Sequence, residues 1–115
     1  MLSDPVQLEA ADGTRAGHRI LRLSGALTLH SIFPFQEAVR ADKAATLIVD
    51  LSKVSFVDSV GIGALVGAYV SRQRDGRKLA LVGVGERVSA SLRVSGLTQF
   101  FATFPTVEAA EKSLP

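Results

Sequence analysis

The polar pair Asp58-Ser59 stands between an apolar stretch and a segment with glycines at positions 61 and 63. A serine hydroxyl can accept a phosphoryl group from a protein kinase, or can act as a nucleophile when a neighbouring base activates it. A carboxylate beside that serine can cap a helix by accepting hydrogen bonds from unpaired backbone N–H groups. The pair could therefore serve in capping, in phosphorylation or in nucleophilic catalysis.

A strand before the pair and a helix after it are predicted to position these groups. Residues 46–51 (TLIVDL) form a short apolar run between polar residues, which is typical of a buried strand. After the pair, apolar residues recur at the i, i+3, i+4, i+7 spacing of an amphipathic helix. These residues are Ile62, Leu65, Val66 and Tyr69. Asp58 and Ser59 should therefore lie at a helix N-terminus, where the helix dipole favours negative charge.

The rest of the chain alternates between strand and helix patterns. Strands are predicted at 6–10, 19–24, 78–84 and 100–104, and helices at 29–40, 86–95 and from Thr106 onward. Ser31 and Thr106 are expected to cap their helices, Gly96 to end one, and the Asp-Gly turn at 12–13 to join an antiparallel hairpin. The order β-β-α-β-α-β-α-β-α predicts an α/β fold whose mixed sheet is parallel apart from its first strand. The strands at 46–51 and 78–84 should lie at its centre.

Length and composition indicate an ordinary globular chain. With 115 residues and no internal repeat, residues 1–115 are expected to form one domain. The 13 basic and 11 acidic side chains nearly cancel, so direct nucleic-acid binding is not expected. The tightest basic cluster is predicted to be a solvated helix end; it consists of Arg72, Arg74, Arg77 and Lys78.

Several site types and locations are disfavoured. The chain has no cysteine, which excludes disulfides and thiolate metal sites. His18 and His30 are predicted to be surface or turn residues rather than metal ligands, and neither a metal nor a cofactor is expected. The longest apolar run, residues 60–70, is shorter than the ~20 residues that span a bilayer. Residues 1–5 lack the pattern of a signal peptide, so we expect a cytoplasmic protein that does not contact a membrane.

The plainest interpretation of residues 56–67 is a helix cap without further function. In this interpretation Asp58 and Ser59 cap the helix, and Gly61, Gly63 and Gly67 let it pack closely on the sheet. Each interior glycine weakens a helix by about 1 kcal/mol relative to alanine, so three of them need such a reason.

Two catalytic or cofactor-binding interpretations are disfavoured. A dinucleotide-binding loop requires the spacing G-x-G-x-x-G directly after a strand. The glycines here are spaced G-x-G-x-x-x-G instead. Nine residues, 52–60, also separate the first glycine from the predicted strand. A serine hydrolase of the G-x-S-x-G type is disfavoured because Val57 occupies the first glycine position. Asp58, adjacent in sequence to Ser59, also cannot orient a histidine in the usual triad geometry. Enzymatic activity is therefore not expected.

A fourth interpretation makes Ser59 the target of a protein kinase. A phosphoserine carries nearly two negative charges, and helix N–H groups can stabilise it. It would also repel the adjacent Asp58, which would change the local surface without unfolding the domain. Gly61 and Gly63 leave the backbone beside the serine accessible to a kinase or a partner.

Residues 54–65 (VSFVDSVGIGAL) resemble the signature of STAS domains, in particular of standalone bacterial anti-sigma factor antagonists. Further stretches that resemble the family are 23–27 (LSGAL), 92–97 (LRVSGL) and 104–110 (FPTVEAA). The resemblance implies that Ser59 is phosphorylated and that the chain binds an anti-sigma factor that is an ATP-dependent serine/threonine kinase. A serine/threonine phosphatase would reset the cycle. The residues expected to contact the partner are Thr28, Asp58, Ser59, Val60, Gly61, Ile62 and Gly63.

The chain departs from the family pattern at one turn. Residues 25–28 read Gly-Ala-Leu-Thr, where the family usually has Gly-Glu-Leu-Asp, so Ala26 and Thr28 replace two carboxylates. The alternative function is a STAS assembly module of a signalling or lipid-transport complex that is not phosphorylated. The two functions make different predictions for Ser59→Asp. This substitution should weaken partner binding by a switch and leave partner binding by an assembly module unchanged.

Overall fold

A computed structural model of the chain describes residues 6–115; residues 1–5, for which no signal peptide is predicted, lie outside them. The strands are β1 (Gln7–Asp12), β2 (His18–Leu27), β3 (Thr46–Val57), β4 (Lys78–Val82) and β5 (Ala102–Phe104). The helices are α1 (Ile32–Ala41), α2 (Ser59–Arg74), α3 (Glu86–Val94) and α4 (Val107–Ser113), with a 3₁₀ turn at Thr98–Phe100. The predicted order of strands and helices is confirmed.

The five strands form one sheet in the order β1-β2-β3-β4-β5. β1 pairs antiparallel with β2, and every other neighbouring pair is parallel. The predicted hairpin and mixed sheet are therefore confirmed, as is the central position of β3. β3 is a continuous apolar run in its first half because helices cover both faces of the sheet there.

Two apolar layers cover the two faces of the sheet. Side chains alternate between the faces along each strand. On β3, Leu47 and Val49 lie in the larger core with α1, α2 and α3. Ile48 lies in a smaller core on the opposite face, where Val107 and Ala110 of α4 cover it. The domain is therefore a sheet with three helices on one face and one on the other.

β3 is longer than predicted and runs to Val57 rather than to residue 51. Two register shifts against β2 give β3 two more residues than its partner, and the last pair joins Leu27 and Val57. The prediction was wrong because β4 ends at Val82, opposite Asp50, so the second half of β3 is largely exposed and carries polar residues. Only residues 58–60 separate the strand from Gly61, and the predicted nine-residue linker does not exist.

Two further predictions need correction, and two are confirmed. The last strand begins at Ala102 rather than at residue 100, because the 3₁₀ turn occupies the preceding residues. Ser31 occupies the N-cap position of α1, but its side chain makes no capping hydrogen bond. Thr106 does cap α4, since its Oγ1 accepts a hydrogen bond from the Ala109 N–H at 3.1 Å. Gly96 ends α3 with a φ of 72°.

Candidate functional site

The Asp58 side chain joins two elements that are distant in sequence. Asp58 is the N-cap of α2, and its Oδ1 accepts a hydrogen bond from the Gly61 N–H at 2.7 Å. Its Oδ2 accepts a second hydrogen bond from the Leu29 N–H in the β2–α1 loop, at 3.1 Å. The carboxylate therefore fixes the start of α2 against the loop. The predicted cap is confirmed, and the bond to Leu29 is an addition that sequence reasoning missed.

Ser59 is exposed as the first residue of α2. Within residues 6–115 its hydroxyl has no hydrogen-bond partner, and the backbone N–H groups of Ser59 and Val60 are also unpaired. These groups lie at the positive end of the α2 dipole. The hydroxyl is accessible to a modifying enzyme, and a phosphate attached there would lie in a favourable field.

Gly61 is required by close packing, whereas Gly63 and Gly67 are not. A Cβ at Gly61 would lie 2.2 Å from the Leu27 carbonyl oxygen and 2.7 Å from Cγ1 of Val57. A Cβ at Gly63 or Gly67 would have nothing within 4 Å. The close-packing explanation is therefore confirmed for the first glycine and wrong for the other two, which line an open groove between α1 and α2.

The β2–α1 loop is held by its own hydrogen bonds. Ser31 Oγ donates to the Ala26 carbonyl at 2.7 Å and accepts from the Thr28 N–H at 2.9 Å. Thr28 Oγ1 accepts from the His30 N–H at 3.3 Å. Ser31 therefore stabilises the loop rather than capping α1. Thr28 is buried within this network and contributes no charge to the surface.

Large apolar side chains are exposed on the segments that lie near the start of α2. Five of the seven that are exposed among residues 6–115 belong to the neighbouring segments, and we name them the apolar rim. The apolar rim consists of Leu29, Phe33, Phe56, Val60 and Val94. The most exposed of them are Phe33, at 70%, and Val94, at 87%. Val94 also lines a groove between α2 and α3 with Ser59 and Ile62.

The structure thus brings the predicted contact residues together at one end of the sheet. Ser59, Val60 and Gly63 are exposed, and Asp58 is half-buried. The remaining predicted residues, Thr28, Gly61 and Ile62, are buried.

His18 is a buried residue, so its prediction as a surface or turn residue was wrong. Its Nδ1 lies 3.3 Å from Oε1 of Glu111, and its Nε2 lies 2.7 Å from the Pro115 carbonyl oxygen. Glu111 also accepts from the Thr14 N–H at 2.8 Å. Burial raises the pKa of Glu111, but the hydrogen bonds from Thr14, Arg15 and His18 outweigh it and hold that pKa below its ordinary value. His30 lies in a turn and is exposed, as predicted.

Arg72 is likewise buried, so the predicted solvated basic cluster is wrong at this position. Its guanidinium donates to the carbonyl oxygens of Lys78 and Asp42, each at 3.0 Å, and to that of Ala44. Burial lowers the pKa of Arg72. The side chain joins the end of α2 to the α1–β3 loop and to the start of β4, a role that nothing in its sequence neighbourhood signals.

Residues 6–115 contain neither a cluster of metal-ligating side chains nor a helix that could cross a membrane. No group of three or more His, Asp or Glu side chains is arranged to hold a metal ion in this part of the chain. Among the same residues, no helix has the length and apolarity needed to cross a bilayer.

The sheet order, the helix arrangement and the capped Asp-Ser pair define a known class of domain. The sequence profile of the STAS domain family matches residues 7–110, and the chain belongs to that family. The predicted resemblance is confirmed.

The chain is similar to anti-sigma factor antagonists. It is 26% identical over 80 residues to the anti-sigma-B factor antagonist of Staphylococcus aureus, an alignment that covers 67% of this chain and 74% of the relative. A crystal structure of an anti-sigma factor antagonist from Mycobacterium paratuberculosis superposes with a TM-score of 0.81 at 25% identity and covers 97% of both chains. The Bacillus cell fate determinant SpoIIAA in its phosphorylated form shares the fold, with a TM-score of 0.70 at 20% identity over 95% of this chain and 99% of that one.

Proposed function

We propose that this chain is an anti-sigma factor antagonist that is switched by phosphorylation of Ser59. In its unmodified form it binds an anti-sigma factor that is an ATP-dependent serine/threonine kinase. Phosphorylation by that kinase ends the complex, and a serine/threonine phosphatase restores the binding form. The chain is the substrate and the binding partner in this cycle and performs no catalysis itself.

The observation that carries the proposal is an exposed, unpaired serine hydroxyl within an exposed apolar surface. The apolar rim supplies the kind of side chains that a partner can bury, since large exposed apolar patches mark interaction sites. Ser59 lies at the start of α2, next to Val60 in sequence and in one groove with Val94. The similarity to named anti-sigma factor antagonists supports the same conclusion.

The switch follows from the cost of burying charge. A phosphate on Ser59 would add about 1.5 to 2 negative charges to the rim. A partner that covers the apolar rim would have to remove water from that phosphate, and burying an unpaired charge is costly. No exposed aspartate or glutamate of the β2–α1 loop contributes to this surface, because residues 26 and 28 are alanine and threonine. The partner is therefore recognised by apolar contact and by the state of Ser59.

The test compares four baits in a pull-down from native-host lysate, with mass spectrometry as the readout. Wild type and Ser59→Ala are expected to recover the same ATPase, and Ser59→Asp to lose it. Val94→Asp on the apolar rim should also lose it. Val70→Asp is the matched control, because Val70 is an exposed valine that lies eleven residues after Ser59 on α2, roughly 16 Å further along the helix axis.

A kinase assay completes the test. The recovered ATPase, supplied with ATP, should phosphorylate wild type at Ser59 and leave Ser59→Ala unmodified. Equal recovery of one partner by wild type and Ser59→Asp would contradict the proposal. That result would instead identify the chain as a constitutive STAS assembly module.

A further inference from the structure

The Asp58 carboxylate has two hydrogen-bond partners that belong to different elements. Oδ1 accepts from the Gly61 N–H in the first turn of α2, and Oδ2 accepts from the Leu29 N–H in the β2–α1 loop. Among residues 6–115, the bond to Leu29 is the hydrogen bond that ties loop residues 28–31 to the start of α2. Any force on this carboxylate therefore acts on both elements.

The two bonds differ in strength. The bond to Gly61 is short, at 2.7 Å, and its donor lies at the positive end of α2, which attracts the carboxylate. The bond to Leu29 is longer, at 3.1 Å, and its donor lies in an exposed loop. The bond to Leu29 is therefore the weaker of the two.

The loop has internal hydrogen bonds that do not involve Asp58. Its internal hydrogen bonds join Ser31 Oγ to the Ala26 carbonyl and to the Thr28 N–H. Loss of the bond from Leu29 to Asp58 would leave these internal hydrogen bonds in place. Leu29, which is 55% exposed and belongs to the apolar rim, is the residue whose backbone N–H this bond holds.

We infer that Asp58 is a positioning residue that transmits the state of Ser59 to Leu29. A phosphoryl group on Ser59 repels the neighbouring carboxylate, which keeps its bond to Gly61 and loses its bond to Leu29. This inference rests on the phosphorylation of Ser59 proposed above and adds a second effect to it. Phosphorylation then places charge in the rim and also frees one of the side chains that the partner contacts.

The test measures amide hydrogen exchange by NMR in protein that carries phosphoserine at position 59. Genetic code expansion installs the phosphoserine, so neither the kinase nor the partner is needed. The Leu29 amide is expected to exchange at least about tenfold faster than in the unmodified protein, the size of effect that follows loss of one hydrogen bond. The Gly61 amide should keep its rate. The amides of the central strand β3 serve as the reference for global stability.

Asp58→Asn supplies the matched control. When the oxygen of an asparagine side chain caps Gly61, its NH2 group takes the place of Oδ2 and cannot accept from the Leu29 N–H. In this variant the Leu29 amide should already exchange fast, and phosphoserine should add no further change. A role in helix stability alone would not remove the response of Leu29 to phosphorylation.

Two results would overturn the inference. One is an unchanged Leu29 amide in the phosphoserine protein. The other is equal acceleration at Leu29 and Gly61, which would indicate loss of the whole cap. The inference and the proposed cycle can fail separately. A Leu29 response to phosphoserine in a protein that binds no kinase would overturn the cycle alone. Loss of partner binding with an unchanged Leu29 amide would overturn the transmission alone.

Discussion

Replacement of Gly61 by alanine tests the packing of the functional end of the domain. The new methyl group would lie 2.2 Å from the Leu27 carbonyl oxygen and 2.7 Å from Cγ1 of Val57. Ordinary contacts between nonbonded carbon atoms are about 3.5 to 4.0 Å, so both contacts are severe overlaps. The oxygen belongs to the backbone of β2 and accepts a hydrogen bond from the Asp58 N–H at 3.3 Å. It therefore cannot move without disturbing the cap.

The expected change in the free energy of unfolding is the difference between an overpacking cost and a gain in helix propensity. Overpacking costs about 1 to 3 kcal/mol, and occasionally more. Alanine gains about 1 kcal/mol over glycine inside a helix. Because the closer overlap is with backbone, we take the cost at its upper end and expect Gly61→Ala to lower the free energy of unfolding by about 2 kcal/mol. The corresponding fall in Tm is roughly 6 to 10 °C for a domain of this size.

Urea unfolding followed by far-UV circular dichroism measures this change, with Gly63→Ala as the control. Gly63 lies two residues further along the same helix, and a Cβ there meets nothing within 4 Å. Gly63→Ala should therefore raise the free energy of unfolding by about 1 kcal/mol. If Gly61→Ala were as stable as Gly63→Ala, the argument that α2 packs closely on the end of β2 would be refuted.

Three further substitutions test the buried polar contacts, each by urea unfolding. Arg72→Lys should lower the free energy of unfolding by about 2 to 4 kcal/mol, because an ammonium group cannot replace three guanidinium hydrogen bonds to backbone carbonyls. A decrease of less than about 0.5 kcal/mol would contradict this prediction. Ser31→Ala should cost about 1 to 2 kcal/mol because it leaves the buried Thr28 N–H without its acceptor, and an unchanged stability would show that another acceptor replaces it. Glu111 has a folded-state pKa below its ordinary value of 4.5, so its stabilisation is complete above that value and is lost as the pH falls through the folded-state pKa. The stability difference between wild type and Glu111→Gln should therefore shrink on acidification, and a difference that stays constant from neutral pH to about pH 3 would refute the assignment.

Local sequence patterns predicted most of the fold. The apolar run at 46–51 and the helical spacing after Ser59 placed β3 and α2 correctly, because burial on a sheet or a helix imposes those periodicities. The second half of β3 was missed because it runs past β4 and is largely exposed there, so it lacks an apolar pattern. An exposed strand paired mainly on one side carries little signal in composition.

The candidate site was predicted in part for a similar reason. Asp58 and Ser59 were recognisable because capping is a local property of three or four neighbouring residues. The bond from Asp58 to Leu29 joins residues 29 positions apart, and the contact between His18 and Glu111 joins residues 93 apart. Such pairs are created by the tertiary fold and have no periodic pattern in the sequence.

The covering of the second sheet face by α4 has a consequence for truncation of the chain. Ile48 and Val82 pack against Val107 and Ala110 of α4. A chain that ends before residue 107 would therefore expose this apolar face of the sheet to water. Exposed apolar faces of this kind favour aggregation, so the last helix protects the solubility of the domain as well as its stability.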